Sequence, residues 1–323
     1  MRVLVTGGSG FIGTHLMRHL MSCGHDVINL DCATPTDPNQ VSLWRKCSIL
    51  DRDLLKRVFQ DWRPQGVVHL AALASMDVRS LDELRANTEG TSNVLNACKE
   101  VATVERVIVT SSQHVRKPGS GPAKSDKDYA PLMFYGESKV ITEQLTRDAE
   151  LKCTWTIIRP TSVWGPGNVT LAGGMWRLMF QGKYFHPAHD PVTRSYGYVK
   201  NVTWQIEKLL QVVPHAIHGK VFYVADGNMR QQEWINAFSR QISGRDVRTL
   251  PVKFIHFLAI IGDGMRAVGL RFPMYSSRFE NLITPNPVPI EPTLRLLGTP
   301  PYSMDQGIRE TVGWLKAYYS DGG

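Results

Sequence analysis

The segment Val3-Leu4-Val5-Thr6-Gly7-Gly8-Ser9-Gly10-Phe11-Ile12-Gly13 constrains the fold of this chain more than any other. A short apolar run suited to a buried strand passes directly into Gly7, Gly10 and Gly13. Helical spacing of apolar residues (Phe11, Ile12, Leu16, Leu20) follows. Glycine at 7 permits a tight turn, and at 10 it lets backbone approach a pyrophosphate. At 13 it lets the helix pack closely on the strand. The first N–H groups of the helix then face an anion, and a dinucleotide is the anion this geometry suits. Asp31 ends the second apolar run (Val27 to Leu30). A carboxylate there accepts from both hydroxyls of an adenosine ribose and repels a 2′-phosphate. No arginine lies near Cys32 to grip such a phosphate, so the expected cofactor is NAD rather than NADP. The alternative for Asp31 is a residue that merely starts a turn.

The alternation continues beyond the loop. Cys47 to Leu50, Val67 to Leu70, Arg106 to Thr110 and Thr154 to Ile158 read as strands. Leu54 to Trp62, Leu81 to Lys99 and Tyr135 to Glu150 read as helices between them. Repeated strand–helix units imply an α/β fold, a doubly wound parallel sheet with helices on both faces. Its functional loops belong at the C-terminal ends of the strands. After Ile158 the rhythm lapses. Val221 to Ala225 reads as one more strand, and the rest as loops and short helices of a smaller C-terminal substrate-binding lobe. The expected division is 1–162 with about 197–225 in the nucleotide-binding part, and about 163–196 with 226–323 in the lobe.

Charge divides along the chain too. Residues 1–150 carry 18 basic and 18 acidic side chains and residues 151–323 carry 19 and 11, so the whole surplus of +8 lies in the second part. An anionic small substrate fits that asymmetry, and nucleic acid is not required. The longest apolar run, Phe254 to Ile261, is about half of what a membrane span needs. No membrane partner is expected, although Lys253 to Phe272, with Lys253, Arg266 and Arg271, reads either as a surface helix or as a buried one. Five cysteines, an odd number with no CxxC pair, read as buried thiols of a reducing cytoplasm, with no metal site. Met1 to Val5 is too short an apolar start for a secretory signal. Met175 to Phe180 reads as a lid or as a core helix of the lobe, and Lys124 to Asp128 as a solvated loop.

Tyr135-Gly136-Glu137-Ser138-Lys139 opens the helix that follows the Arg106–Thr110 strand. Tyr and Lys at i and i+4 share a helix face. An ammonium near a phenol favours phenolate, which suits proton transfer to a substrate oxygen. Ser111 and Ser112 end the preceding strand, where a hydroxyl can hold the same oxygen.

These motifs, with His69-Leu70-Ala71-Ala72, Asn87 to Thr91, Arg159 to Gly167 and Arg194 to Val202, occur in an order that resembles the extended short-chain dehydrogenase/reductase family. The resemblance is to its NAD-dependent nucleotide-sugar epimerase/dehydratase branch and implies a Rossmann fold. It implies Tyr135 as general acid/base, Lys139 on the nicotinamide ribose, and Ser112 orienting the substrate. Cofactor contacts fall on Gly7, Gly10, Phe11, Ile12, Gly13 and Asp31, then on Leu50, Asp51, Leu70, Ala71, Ala72 and Asn87, and also on Ser111, Tyr135, Lys139 and Arg159. Substrate contacts fall on Ser112, Gln113, His114, Ser162 and Arg194, the last clamping the diphosphate of a nucleoside-diphosphate sugar. A homodimer through the Leu81 and Tyr135 helices is implied as well. Gln113 and His114 stand where 4,6-dehydratases carry an Asp-Glu pair, so epimerase-type chemistry is expected over elimination. Arg159-Pro160 and Ser162 equally resemble hydroxysteroid and dihydroflavonol reductases, which leaves a net ketone or alcohol reductase as the alternative.

Overall fold

Neighbouring residues of a strand point to opposite faces of a sheet, and the central strands bury both. Val3 and Val5 of β1 (Arg2–Thr6) join one apolar core while Leu4 joins another. Ile108 and its neighbours Val107 and Val109 divide in the same way in β5 (Arg106–Thr110). A strand apolar on both faces needs helices on both. On one side α2 (Arg52–Trp62) and α3 (Glu89–Glu100) supply Leu55, Phe59, Val94, Leu95 and Cys98. On the other, α1 (Phe11–Ser22) and α7 (Val199–Gln211) supply Leu16, Met17, Leu20, Val202, Ile206, Leu209 and Leu210.

The computed structural model describes all residues except Asp190, Arg271 and Gly323. The chain divides into two compact units. The first holds Met1–Val163, Gly197–Asp226 and Pro289–Tyr302. Its remaining strands are β2 (Asp26–Asp31), β3 (Trp44–Lys46), β4 (Gly66–His69), β6 (Thr154–Pro160) and β10 (Val221–Val224). Seven parallel strands run in the order β3-β2-β1-β4-β5-β6-β10. The strand order reverses between β1 and β4, the place where a doubly wound sheet opens for a ligand at its C-terminal edge. Helices α4 (Phe134–Asp148), α8 (Pro214–Ile217) and α12 (Glu291–Leu297) complete this unit. The doubly wound parallel sheet expected from the alternation is present.

The short strand β7 (Ser162–Trp164) leads out of the first unit. The second unit holds Trp164–Tyr196, Gly227–Val288 and Ser303–Gly323. Here α5 (Val169–Leu171) and α6 (Arg177–Phe180) precede β8 (Phe185–Ala188) and most of β9 (Thr193–Tyr198), whose last two residues belong to the first unit. Next come β11 (Gly227–Arg230), α9 (Gln231–Ser243) and β12 (Arg248–Pro251), and last α10 (Val252–Ala267), α11 (Ser276–Ile283) and α13 (Met304–Ser320). Strand β11 pairs antiparallel with β9, and β12 pairs parallel with β8. The unit's core is aromatic. Trp164, Trp176, Trp234 and Phe238 are buried together, and Tyr196 stacks on Trp234 with ring centroids 4.3 Å apart. Trp176 and Met179 therefore serve as core, not as a lid.

Several local expectations are corrected. Leu81 to Lys99 is not one helix. A short 3-10 turn covers Leu81–Leu84 and α3 begins only at Glu89. Asn87 explains the break, because its amide exchanges hydrogen bonds with the main chain of Leu73 (2.7 and 3.1 Å) and reaches Ser138 Oγ at 2.9 Å. Cys47 to Leu50 is not a strand; pairing with β2 ends at Lys46. The second unit holds longer helices than expected, α10 and α13 among them. Cys23 and Cys32, at the ends of α1 and β2, are exposed rather than buried. Lys124 to Asp128 is not merely solvated. Asp128 pairs with Arg116 at 2.7 Å, Asp126 with Arg147 at 3.0 Å, and Asp126 O accepts from buried Arg159 at 2.5 Å. No helix among the described residues is long and apolar enough to cross a membrane.

Candidate dinucleotide and catalytic site

The glycine loop is shaped by what its backbone approaches. Gly7 has φ +75°, and a Cβ there would lie 2.6 Å from the Ala71 nitrogen. A Cβ on Gly13 would lie 2.2 Å from the Gly7 oxygen, so only glycine lets α1 start this close to β1. No side chain caps the start of α1 at Gly10, which leaves that helix end open to an anion. Asp31 sits against the loop, accepting from Ser9 N–H at 3.0 Å and Ala33 N–H at 2.9 Å. Both oxygens keep a further acceptor site for ribose hydroxyls. These residues fit a pyrophosphate and an adenosine ribose.

Around β4 a polar chain fixes the floor of the site. The Ala71 N–H donates to Thr6 Oγ1 at 3.3 Å, and Thr6 Oγ1 meets His69 Nδ1 at 2.7 Å. His69 Nε2 meets Thr91 Oγ1 at 3.0 Å, and that hydroxyl donates to Asn87 O at 2.8 Å. The chain is satisfied throughout only if Thr6 donates to a neutral His69 that carries its proton on Nε2. Burial, with the Lys139 charge acting the same way, lowers the His69 pKa to about 3. A depressed histidine pKa costs nothing above the unfolded value of 6.5, where both states are neutral. As pH falls from about 6.5 toward 3 the unfolded chain binds the proton and the folded chain does not, so stability is lost, by on the order of 5 kcal/mol from this group. A histidine NMR titration should leave the His69 ring neutral down to about pH 4; a midpoint near the ordinary value would refute the assignment.

Tyr135, Lys139, Glu143 and Arg147 lie at successive i+4 positions on α4 and so form one line along it. Tyr135 and Lys139 are almost fully buried. Tyr135 is hydrogen-bonded by Ser112, which favours phenolate, but burial dominates and raises the phenol's pKa. Lys139 is tied to the strand that precedes the helix. Its Nζ donates to Thr110 O at 2.9 Å, and burial lowers its own pKa to about 8 against the charge of Glu143. The ring of His114 meets Tyr135 edge-on, centroids 6.0 Å apart. Ser112 Oγ accepts from His114 N–H at 3.2 Å, and Gln113 Nε2 reaches Ser162 Oγ at 3.5 Å. Gln113 Oε1 is buried without a partner, and so is Thr110 Oγ1, beside the Lys139 contact.

Glu143, not singled out in the sequence, organises the interior behind these groups. It accepts from Arg159 Nε at 2.7 Å and Nη2 at 2.8 Å, from Ser111 Oγ at 2.6 Å and from Tyr129 Oη at 2.9 Å. Ser111 and Arg159, expected at the cofactor, are thus held by Glu143, and Arg159 Nη1 is taken by Tyr223. The i+4 series from Tyr135 was the available signal for Glu143. Asp51 caps α2 through Leu54 N–H at 3.0 Å, and Leu50 is exposed beside it. Leu70 N–H pairs with Thr6 O at 3.0 Å, which sets Leu70 to Ala72 at the end of β4. In the second unit Arg194 donates from Nε and Nη2 to carbonyl oxygens of Thr284 and Asn281, at the C-terminal end of α11. A cation at the negative end of a helix explains that placement, and two of its three nitrogens are engaged there.

Residues 3–223 match the NAD dependent epimerase/dehydratase family, and the chain belongs to it. The family is NAD dependent, and the glycine loop and Asp31 fit that cofactor. Over 156 residues the chain is 35% identical to UDP-glucose 4-epimerase of Azospirillum brasilense, a match to 46% of this chain and 44% of that one. The chain thus spans under half the length of that relative. A longer match, 25% over 239 residues and 69% of each chain, is to a decarboxylating sterol-4-alpha-carboxylate 3-dehydrogenase of Schizosaccharomyces pombe. The Thermus thermophilus UDP-glucose 4-epimerase, solved with NAD, shares the fold with TM-score 0.72 at 22% identity, over 98% of this chain and 99% of that one.

Proposed function

We propose that the chain is an NAD-dependent epimerase-type enzyme acting on a nucleoside-diphosphate sugar. The observation that carries this is the meeting of Tyr135 and Ser112 at the end of β5, with Lys139 turned to the last carbonyl of the same strand. Gly7, Gly10, Gly13 and Asp31 would hold NAD, which would supply the acceptor and donor of the hydride on the sugar carbon. Tyr135 takes the proton of the hydroxyl on that carbon and gives it back. Ser112 donates to the ketone oxygen in between, so the charge that develops there is met by a fixed hydroxyl. Lys139 keeps a positive charge beside the site below pH of about 8. Gln113 and His114 follow Ser112, and Gln cannot move a proton, which disfavours elimination. The homodimer implied by the resemblance, with α4 at its interface, belongs to this reading.

The test is incubation of purified protein with UDP- and GDP-sugars. Formation of an epimer, or transient reduction of bound NAD, supports the reading; neither with any sugar overturns it. A second reading, net oxidation of an amphiphilic alcohol, is favoured by the length of the sterol dehydrogenase match. It requires cofactor exchange, so turnover only with added NAD and a hydrophobic alcohol would select it.

Asp31 carries the cofactor choice. Asp31→Ser should lower the preference for NAD over NADP by about tenfold or more, because like charges held together cost several kcal/mol. Fluorescence titration with both reduced cofactors measures it, and an unchanged ratio removes Asp31 from the ribose site.

A further inference from the structure

Within the second unit, α10 buries only part of its apolar surface. Ile255, Ala259 and Gly262 are buried, and Phe279 of α11 joins the first two in their cluster. Phe254, Phe257, Ile260 and Ile261 are 47%, 58%, 55% and 39% exposed. Val268 and Leu270 just beyond the helix are 72% and 55% exposed. Among the described residues, six of the sixteen large exposed apolar side chains fall in these 17 residues, so the exposure is a patch and not scatter. At 100° per residue, Phe254, Phe257, Ile260 and Ile261 lie within one third of the helix circumference.

The patch is held out by specific fixtures. A Cβ on Gly262 would lie 1.8 Å from the Met274 oxygen, so glycine lets the following loop close against the buried side of α10. Arg266 lies over the Tyr275 ring at 4.1 Å. Asp263, the single acidic residue of α10, is turned toward α11 and accepts from Ser276 N–H at 3.2 Å. The outward stripe therefore carries no negative charge, and Lys253 borders it.

The surrounding sequence is basic. Residues 245–278 hold six Lys or Arg and two Asp, half of the whole chain's surplus. Two such faces brought together in a dimer repel, whereas a surface of negative charge over hydrocarbon complements both features. We propose that α10 seats the second unit on an anionic lipid bilayer, lying in the interface plane with Phe254, Phe257, Ile260 and Ile261 among the acyl chains. Lys253, Arg245 and Arg248, all exposed, meet the headgroups. This departs from the expectation that no membrane partner exists, and it holds whichever alcohol the enzyme oxidises.

Flotation of the full chain with vesicles tests it. The native chain should float with phosphatidylcholine–phosphatidylserine vesicles and stay behind with phosphatidylcholine alone. Phe257→Ser with Ile260→Ser should weaken binding by about tenfold or more through lost apolar burial, with melting temperature and NAD binding unchanged. Lys253→Glu should weaken it by about tenfold through charge alone. Equal flotation on neutral vesicles, failure to float on anionic ones, or full binding by both variants overturns the proposal. So does a native dimer, seen by light scattering, that Phe257→Ser converts to monomer, since a second copy would then cover the patch.

Discussion

Tyr135→Phe should lower the turnover of the nucleotide sugar by about 10²- to 10⁴-fold, the usual contribution of a positioned acid–base group. The change removes one oxygen. That oxygen's partner is the Ser112 hydroxyl, which still accepts from His114 N–H after the change. The ring stays packed against His114, so the thermal midpoint should hold. NAD affinity should hold as well, because the glycine loop and Asp31 lie on other strands. Steady-state epimerisation and NAD content measured on the same preparation check this. A variant that turns over within threefold or so of the native rate would show that proton transfer runs through another group, and His114 would be the one to replace next.

Arg159→Met should destabilise the first unit by about 3–5 kcal/mol, because it takes from a fully buried carboxylate its hydrogen-bonded cation and leaves only Arg147, 3.7 Å away. Glu143 is 0% exposed and Arg159 2%. Burial works against the charge on Arg159, but hydrogen bonds and charge from Glu143 and Tyr223 outweigh it, so its pKa is raised. Glu143 itself also holds Ser111 and Tyr129, whose hydroxyls stay bonded to it in the variant. Pairing the change with Glu143→Leu removes the stranded charge, so the double variant should be less destabilised than Arg159→Met alone. Urea unfolding followed by far-UV dichroism reads both. Equal losses in the single and double variants would mean the site suffers from lost packing, not from an unpaired charge.

Local signals carried the sheet. Apolar runs of three to five residues, each followed by a turn or helical spacing, are properties of short segments, and β1, β2, β4, β5 and β6 stand where those runs are. The glycine loop was legible for the same reason: its three glycines answer to contacts with Ala71 and with the loop itself, and a spacing records them. Tyr135, Lys139 and Ser112 were legible as a set because helix geometry and strand ends place them. The contact of Lys139 with Thr110 was not, since that carbonyl is 29 positions away and main-chain acceptors leave no mark in a sequence. Asn87 broke an expected helix through bonds to Leu73 and Ser138, partners equally distant in the chain. The contact of Arg159 with Glu143 was not legible either, because a motif gives a residue's neighbours in the chain and this partner lies across the interior. The sequence left the α10 segment open between a surface helix and a buried one, because burial depends on what packs over a helix, and periodicity does not record that.

The first unit is discontinuous in the chain, and this shapes how it is made. When synthesis has reached Val163, β6 is a bare sheet edge and Leu16, Met17 and Leu20 of α1 lack the α7 side chains that share their core. The pairing strand β10 ends only at Val224. At ribosomal rates the interval is roughly 3–12 s, long compared with collapse and helix formation. For that time the nascent chain presents an open strand and an apolar helix face to its neighbours. Slowing translation between Val163 and Val224 should therefore lower the soluble yield, although the finished protein would be identical.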